Sequence, residues 1–413
     1  MRLLFVHQNF PGQYLHILRH LAATGRHEIV FITEPNENRL VGVRKVPYRP
    51  PPPAAPGAVH ESARDFDMAM RRADAVAATA RSLRQLGFAP DAIIGHHGWG
   101  ELLSLPDLWP DAPILGYLEF FYRLHGADVN FDPEFPMRPE EFARVRAKNA
   151  VNLLALGLEK EGQSPTEWQR STYPAWAQER IALLREGADL DLCQPDPEAR
   201  RTALEVGGMR VTPEDRLVTY VARDLEPYRG FHVVMRALPR LLSARPDIKV
   251  ALVGGDGVSY GALPPRGTWR QQMLEEQGGA LDMGRVALPG RIEYDAYRRM
   301  LQRSDAHLYL TYPFVASWSL REALAMGCAV VGSDTTPVRE FIAPEETGLL
   351  VPFHDPAALA EAVLRVLDDA ALARRLREGA RRFASDRLDL RETIAGYVAT
   401  IGRLIGAAPG EIA

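Results

Sequence analysis

The sequence predicts an α/β protein of two doubly wound domains, each a parallel sheet with helices on both faces. Three observations predict it. Short apolar runs alternate with stretches of helical spacing, that rhythm starts twice, and 413 residues are too many for one ordinary core. Hydrophobic residues make up 46% and charged residues 25% of the chain, a globular profile able to fill two cores.

In the first half, Leu3–Phe5 is an apolar run of the kind buried on both faces of a parallel sheet. Gly12 opens a stretch with Leu15, Leu18, Leu21 and Ala22 at helical spacing, Gly25 closes it, and Glu28–Thr33 is the next strand. The run Arg49–Pro56 (RPPPPAAP) excludes helix and central strand and reads as a surface loop. Strands at Ala92–His96 and Pro113–Phe120, a helix at Pro139–Ala155 and a last strand at Arg180–Arg185 follow.

The second series has strands at Leu217–Arg223, Lys249–Gly254, Arg285–Pro289, Ala306–Leu310, Cys328–Gly332 and Gly348–Val351, with helices between, the first at Phe231–Ala244. Asp, Pro and Arg concentrate in Asp189–Arg216, which marks the joint. The expected division is residues 1–200, 201–385 and a tail, 386–413, whose amphipathic stretch Leu390–Ile405 has no strand after it. Doubly wound sheets bind ligands beyond the carboxyl ends of their strands. Functional residues are therefore expected just after the strands, on both sides of a cleft between the domains.

Composition excludes several classes. A net charge of −4 argues against nucleic acid as a partner. Cys193 and Cys328 are too few and too far apart for a disulfide framework or zinc cluster, which fits a reducing compartment. The apolar N-terminal run is too short for a signal segment, and no run reaches the ~18 residues of a membrane span. A cytoplasmic protein is expected, with peripheral membrane contact left open.

Two stretches carry chemistry. After the strand LVTYVAR come Asp224-Leu225-Glu226-Pro227-Tyr228-Arg229-Gly230 and a helix. Arg223 and Arg229 thus stand at a strand end and just before a helix N-terminus, where guanidinium forks suit a pyrophosphate. Two solvated surface arginines fit the spacing equally. After the strand Ala306–Leu310, the segment Tyr312–Gly327 runs into a short helix. Ala316, Ser317 and Ser319 are small enough to leave amides available to an anion there. Glu322, one turn in, suits two vicinal ribose hydroxyls, or is an ordinary first-turn glutamate favoured by the helix dipole.

Arg223…Arg229-Gly230, Gly254-Gly255-Asp256-Gly257, Gly290-Arg291-Ile292, Glu322–Gly327 and Gly348–Val351 resemble, in order and spacing, glycosyltransferase family 4. In the N-terminal half, His7–Gln13, Gly116–Arg123 and Ser164–Arg170 resemble a bacterial subgroup of that family. The resemblance implies the GT-B fold and metal-independent transfer of a sugar, with retention, from a nucleotide-diphosphate sugar (UDP- or GDP-linked) to a hydroxyl acceptor. No cofactor and no metal are implied. It also implies that Arg223 and Arg229 contact the donor phosphates, with Arg229 where most members have lysine. Glu322 then binds the ribose, Ile292 meets the base, Gly255 and Gly12 line the donor, and the final helix returns to the N-terminal domain.

Two positions depart from the family. Phe314 stands where an acid that touches the donor sugar is expected, so Phe314, Ala316, Ser317, Trp318 and Ser319 are expected to meet the sugar through backbone groups. Glu119 stands where many members place a histidine facing the reacting carbon. As a carboxylate it would stabilise positive charge there, bind an acceptor hydroxyl or act as nucleophile, unless it merely pairs with Arg123 to hold the loop.

His97, Trp99, Tyr122 and Arg123 are candidates for the acceptor side. The His96-His97…Glu101 run invites a metal reading, but adjacent strand-end residues point to opposite faces. Asp189-Leu190-Asp191 lies at the joint and reads as a chance DxD. A UDP-sugar epimerase of the same architecture and a catalytically inactive scaffold are the alternatives to a transferase.

Overall fold

The computed structural model describes residues 1–158 and 161–412. The chain divides into two compact units, Met1–Arg185 with Leu390–Ala413, and Glu186–Asp389. The boundary precedes the expected residue 200 because the stretch after it packs on the second unit. Arg298 donates to the Leu192 carbonyl (2.9 Å), Gln302 to Gln194 (2.8 Å) and Arg381 to Cys193 (2.9 Å). In place of a metal-binding DxD, the Asp189 carboxylate caps a turn, accepting from the amides of Asp191 and Leu192.

The first unit holds strands β1 (Arg2–Val6), β2 (Glu28–Thr33), β3 (Val43–Pro47), β4 (Ala92–His96), β5 (Ile114–Tyr117), β6 (Glu161–Ser164) and β7 (Ile181–Leu183). They form one parallel sheet in the order β3-β2-β1-β4-β5-β6-β7. Leu3, Phe5, Ile29 and Ile94 on one face pack with the helix Leu15–Ala23 and with Tyr397, Val398, Ile401 and Leu404 of the terminal helix Leu390–Ile405. Each such buried side chain contributes about 1.5–3 kcal/mol, and Gln163 fixes the helix by donating to the Tyr397 hydroxyl (2.8 Å). On the other face lies the helix Arg64–Gln85, which buries a stripe of Ala69, Ala73, Val76, Ala77, Ala80 and Leu83.

In the second unit a short antiparallel hairpin, β8 (Leu204–Val206) and β9 (Met209–Val211), precedes the main sheet. That sheet contains β10 (Arg216–Asp224), β11 (Ile248–Gly255), β12 (Val286–Gly290), β13 (Ala306–Tyr309), β14 (Val330–Ser333) and β15 (Gly348–Val351). All are parallel, in the order β12-β11-β10-β13-β14-β15. Strand order reverses between β1 and β4 in one sheet and between β10 and β13 in the other. At such switch points the connections leave in opposite directions and open a crevice beyond the strand ends. Among the described residues, no helix is long and apolar enough to cross a membrane.

Gly230 joins the loop after β10 to the helix Phe231–Ala244 with φ +72°, and a Cβ there would lie 2.4 Å from the Leu310 Cβ. We predict that Gly230→Ala destabilises the protein by on the order of 3 kcal/mol, through left-handed strain plus overpacking. Urea unfolding checks this, and a loss under 1 kcal/mol contradicts it.

Candidate functional site

The second unit carries a cavity of about 420 Å³ at the carboxyl ends of β10, β11 and β12. Val221, Val253 and Ile292 supply its apolar surface, Tyr294 and Tyr297 an aromatic wall, and Arg223 and Arg291 its charge. The register of β10 against β11 shifts between Val221 and Asp224. Such an irregularity re-aims side chains at a strand end, and here the exposed Arg223 lies within it.

Glu322 reaches this wall from the helix Trp318–Ala325. One carboxylate oxygen accepts from the Tyr294 hydroxyl at 2.8 Å and the other from Tyr297 at 2.7 Å. Burial raises the carboxyl pKa above its ordinary value, opposed by the two tyrosine hydrogen bonds. A carboxylate has about four acceptor sites, so two further hydroxyl donors can be taken without evicting the phenols. Of the other donor-side candidates, Ile292 lines the cavity and Gly255 closes β11 against the Asp224–Arg291 ion pair (3.0 Å).

Arg229, expected to act as Arg223's twin, is only 7% exposed. Its Nη1 donates to the Thr311 hydroxyl (2.7 Å) and the Val315 carbonyl (2.8 Å), and its guanidinium lies over the Tyr260 ring. It braces the segment after β13 from beneath. Phe314 is likewise inward, 4% exposed and packed on Tyr228 and Tyr260, so its side chain is core rather than a sugar contact. Ala316 is buried and its carbonyl accepts from Arg321 (3.2 Å). The Ser317 amide donates to the Tyr309 hydroxyl (2.7 Å), the Ser317 and Ser319 hydroxyls bond each other, and the partly exposed Trp318 indole donates to Glu186 (2.8 Å).

Two buried acids absent from the sequence reading hold the neighbouring loop. Glu226 accepts from the amides of Ser259, Tyr260 and Gly261, and Asp224 takes the Ser259 hydroxyl as well as Arg291. Their signal was the DLEP stretch between the two arginines, where acids are out of place unless paired.

In the first unit, the ends of β1, β4 and β5 bring together His7, His96, Trp99 and Glu119. The His96 ring stacks between Trp99 (4.3 Å) and Tyr117 (5.0 Å), with His7 edge-on at 5.4 Å. Gly12 approaches His7 so closely, at φ +55°, that a Cβ would lie 2.9 Å from its Nδ1. The Gly98 amide donates to His96 Nδ1 (2.9 Å), and Nε2 on the other side of the ring lies 3.7 Å from a Glu119 carboxylate oxygen. Glu119 therefore faces His96, while Arg123 donates to the Ser171 carbonyl (2.8 Å).

The backbone after β5 is clamped residue by residue. Ser164 donates to the Leu118 carbonyl, Gln169 to Glu119, and Asn152 to Phe120. Thr172 accepts from the Phe121 amide, and Asn149 bonds both the amide and carbonyl of Tyr122. The Tyr122 ring lies under Lys148. This is the physical sense of the paired GYLEFFYR and SPTEWQR stretches.

His97 is fully buried, so its side chain lies inside the unit rather than on an acceptor surface. Glu101, one turn further along the chain, is also buried, accepts from the Tyr48 hydroxyl at 3.2 Å, and burial pushes its pKa up to about 7. Folded protein therefore keeps a proton between about pH 4.5 and 7 that the unfolded chain releases, so this group's contribution to stability falls as pH rises through that window. We predict that Glu101→Gln removes a drop of about 3 kcal/mol across it. Chemical denaturation at pH 5 and pH 8 checks this; parallel curves for the two proteins contradict it.

The family model for the glycosyl transferase family 4 group matches residues 25–193, and that for glycosyl transferases group 1 matches residues 210–383. The chain is 34% identical over 164 residues to phosphatidyl-myo-inositol mannosyltransferase of Mycolicibacterium smegmatis, covering 38% of each protein. It is 25% identical over 286 residues to D-inositol 3-phosphate glycosyltransferase of Streptomyces scabiei, covering 67% of this chain and 58% of that one. The match thus spans less than two thirds of either relative's length. Among solved structures, sucrose-phosphate synthase from Thermosynechococcus elongatus superposes with TM-score 0.74 at 18% identity, over 99% of this chain and 100% of that one. Anabaena HepE in complex with UDP-glucose superposes with TM-score 0.68 at 16% identity, over 98% of this chain and 100% of that one. Consecutive matches to both family models relate the chain to the family 4 and group 1 glycosyltransferases, and its two parallel doubly wound units have the GT-B fold.

Proposed function

We propose that this protein transfers a sugar from a nucleotide-diphosphate sugar to a hydroxyl acceptor, with retention of configuration. The observation that carries the reading is the cavity beyond β10 and β11, with an open arginine at its rim and a carboxylate presented on two phenols at its wall. UDP-sugars are the first donors to test, since HepE is described with UDP-glucose.

In this reading the base lies against Ile292, the ribose hydroxyls donate to Glu322, and the diphosphate turns toward Arg223 and the N-terminus of the helix Trp318–Ala325. As the diphosphate departs, negative charge grows on it and the anomeric carbon becomes cationic. A fixed guanidinium and helix amides aimed at that charge stabilise the transition state more than the ground state. Arg229 acts one layer down, keeping the segment Thr311–Val315 in place. The acceptor hydroxyl attacks on the face the diphosphate leaves, and a phosphate oxygen takes its proton. Glu119, whose carboxyl group faces the His96 ring, is the group proposed to stabilise the cationic carbon. Trp99 and Tyr122 offer aromatic faces to the acceptor.

The direct test is release of nucleoside diphosphate from UDP-glucose, UDP-N-acetylglucosamine and GDP-mannose without acceptor, followed by NMR of the transfer product. No release from any donor, with no thermal shift from UDP or GDP, overturns the reading. Arg223→Ala is expected to lower kcat/KM on the order of 100-fold with an unchanged melting temperature, since the side chain is exposed. Glu322→Gln is expected to weaken UDP binding about tenfold or more without loss of stability at pH 7, because it relieves a buried carboxylate. Steady-state kinetics reads the first and calorimetric titration with UDP the second.

A further inference from the structure

At the amino ends of β10 and β13, remote along the strands from the donor cavity, four arginines gather on one carboxylate. Asp305 uses Oδ2 fully, accepting from the Leu217 amide (2.9 Å) and from Arg303 Nη1 (2.8 Å). Its Oδ1 has three more guanidiniums around it, Arg200 Nε at 3.7 Å, Arg377 Nη2 at 3.8 Å and Arg216 Nη1 at 3.9 Å. All three stand beyond hydrogen-bond reach of that oxygen.

The remaining partners of these groups do not neutralise them. Arg200 and Arg377 donate to backbone carbonyls, of Ser304 (2.9 Å) and Asp305 (2.8 Å). The other carboxylate near Arg216, Asp247, lies 4.0 Å away and is already held at two oxygens by Arg245. The Nε atoms of Arg200 and Arg377 are buried without a hydrogen-bond partner. Burial, and then Arg200's own charge, push Arg377 down to about 10; burial also lowers Arg200. The neighbouring Cys328 thiol, pushed up to about 12 by burial, supplies no charge.

Arg303 and Asp305 cancel, which leaves three cations around the Asp305 Oδ1, two of them with a donor unfilled. Their side chains are 34% (Arg200), 45% (Arg216) and 22% (Arg377) exposed, so solvent reaches the group. Like charges held this close are unfavourable unless an anion joins them, and guanidinium forks match a tetrahedral oxyanion. We propose that Arg200, Arg216 and Arg377 form a binding site for a phosphate group, free or carried by a small monoester, distinct from the donor cavity.

The test uses the full chain with inorganic phosphate against potassium chloride at matched ionic strength, followed by thermal denaturation and by phosphorus-31 line broadening. The expected result is a saturable rise of the melting temperature, about 3 °C at ten times Kd, absent with chloride. Glycerol 3-phosphate in a parallel arm separates the sources. An equal effect means the site takes the group on a carrier, and an effect of phosphate alone means it takes the free ion. Arg377→Gln and the half-exposed Arg216→Gln should both abolish the rise, and Arg216→Gln should melt no lower than wild type without phosphate, because it removes repulsion. Arg223→Ala should keep the rise.

The proposal is overturned if chloride acts equally, or if both glutamine variants retain the phosphate effect. It is also overturned if Arg223→Ala abolishes the effect, which would place the anion in the donor cavity. Lower melting of Arg216→Gln, with no phosphate effect in wild type, would make the cluster a purely structural ion network.

Discussion

The second unit is organised by the parallel pairing of β10 with β13, where Val218, Thr219 and Tyr220 sit beside Ala306, His307 and Leu308. This contact is the switch point of the sheet, so β10 and β13 release their following loops on either side of one crevice. One loop becomes the Asp224–Gly230 turn and the other the Thr311–Ser319 segment, and Arg229 ties the first to the second. Gly230 is pressed onto Leu310 for the same reason. At the opposite end, the strand starts bring the Leu217 amide to the Asp305 carboxylate, around which the arginines assemble. Both ends of the unit are thus set by one short ladder.

The first unit achieves order at its strand ends by a different means. The chain after β5 has no ladder of its own, and side chains of Asn149, Asn152, Ser164, Gln169 and Thr172 take over the satisfaction of its backbone. A segment whose carbonyls and amides are held by buried side chains has little conformational freedom left to lose when a ligand arrives. That favours a pre-shaped surface around Glu119 over a loop that orders on binding.

Much of this was legible in the sequence where apolar patterning does the positioning. Glu28–Thr33, Ala92–His96, Gly348–Val351, Phe231–Ala244 and Leu390–Ile405 have the bounds their patterns predict. The elements that escaped are those whose burial is not apolar bulk. The helix Arg64–Gln85 buries mostly alanines, and β3 (VRKVP) is a charged edge strand ending in proline. Strand β6 (EGQS) is paired on both sides, by β5 and the edge strand β7, yet contains no large apolar residue. Its Gln163 and Ser164 are buried because Tyr397 and the Leu118 carbonyl, far off in sequence, receive their hydrogen bonds. Site chemistry followed the same rule. Glu322 and Ile292 were visible as motif positions, whereas the inward turn of Arg229 and Phe314 and the His96–Glu119 contact depend on tertiary neighbours that spacing does not contain.

The Tyr260 ring links the two inward-turned side chains of the donor side, Arg229 and Phe314. It lies 4.8 Å beneath the Arg229 guanidinium and 5.2 Å from the Phe314 ring. An acid restored at 314 alone would enter a wall of aromatic rings, and a lysine at 229 alone would exchange a planar group laid on Tyr260 for a compact ammonium. The arginine and the phenylalanine share one aromatic neighbour and are physically coupled through it. A change at 229 or at 314 is therefore carried to the other position through the tyrosine between them.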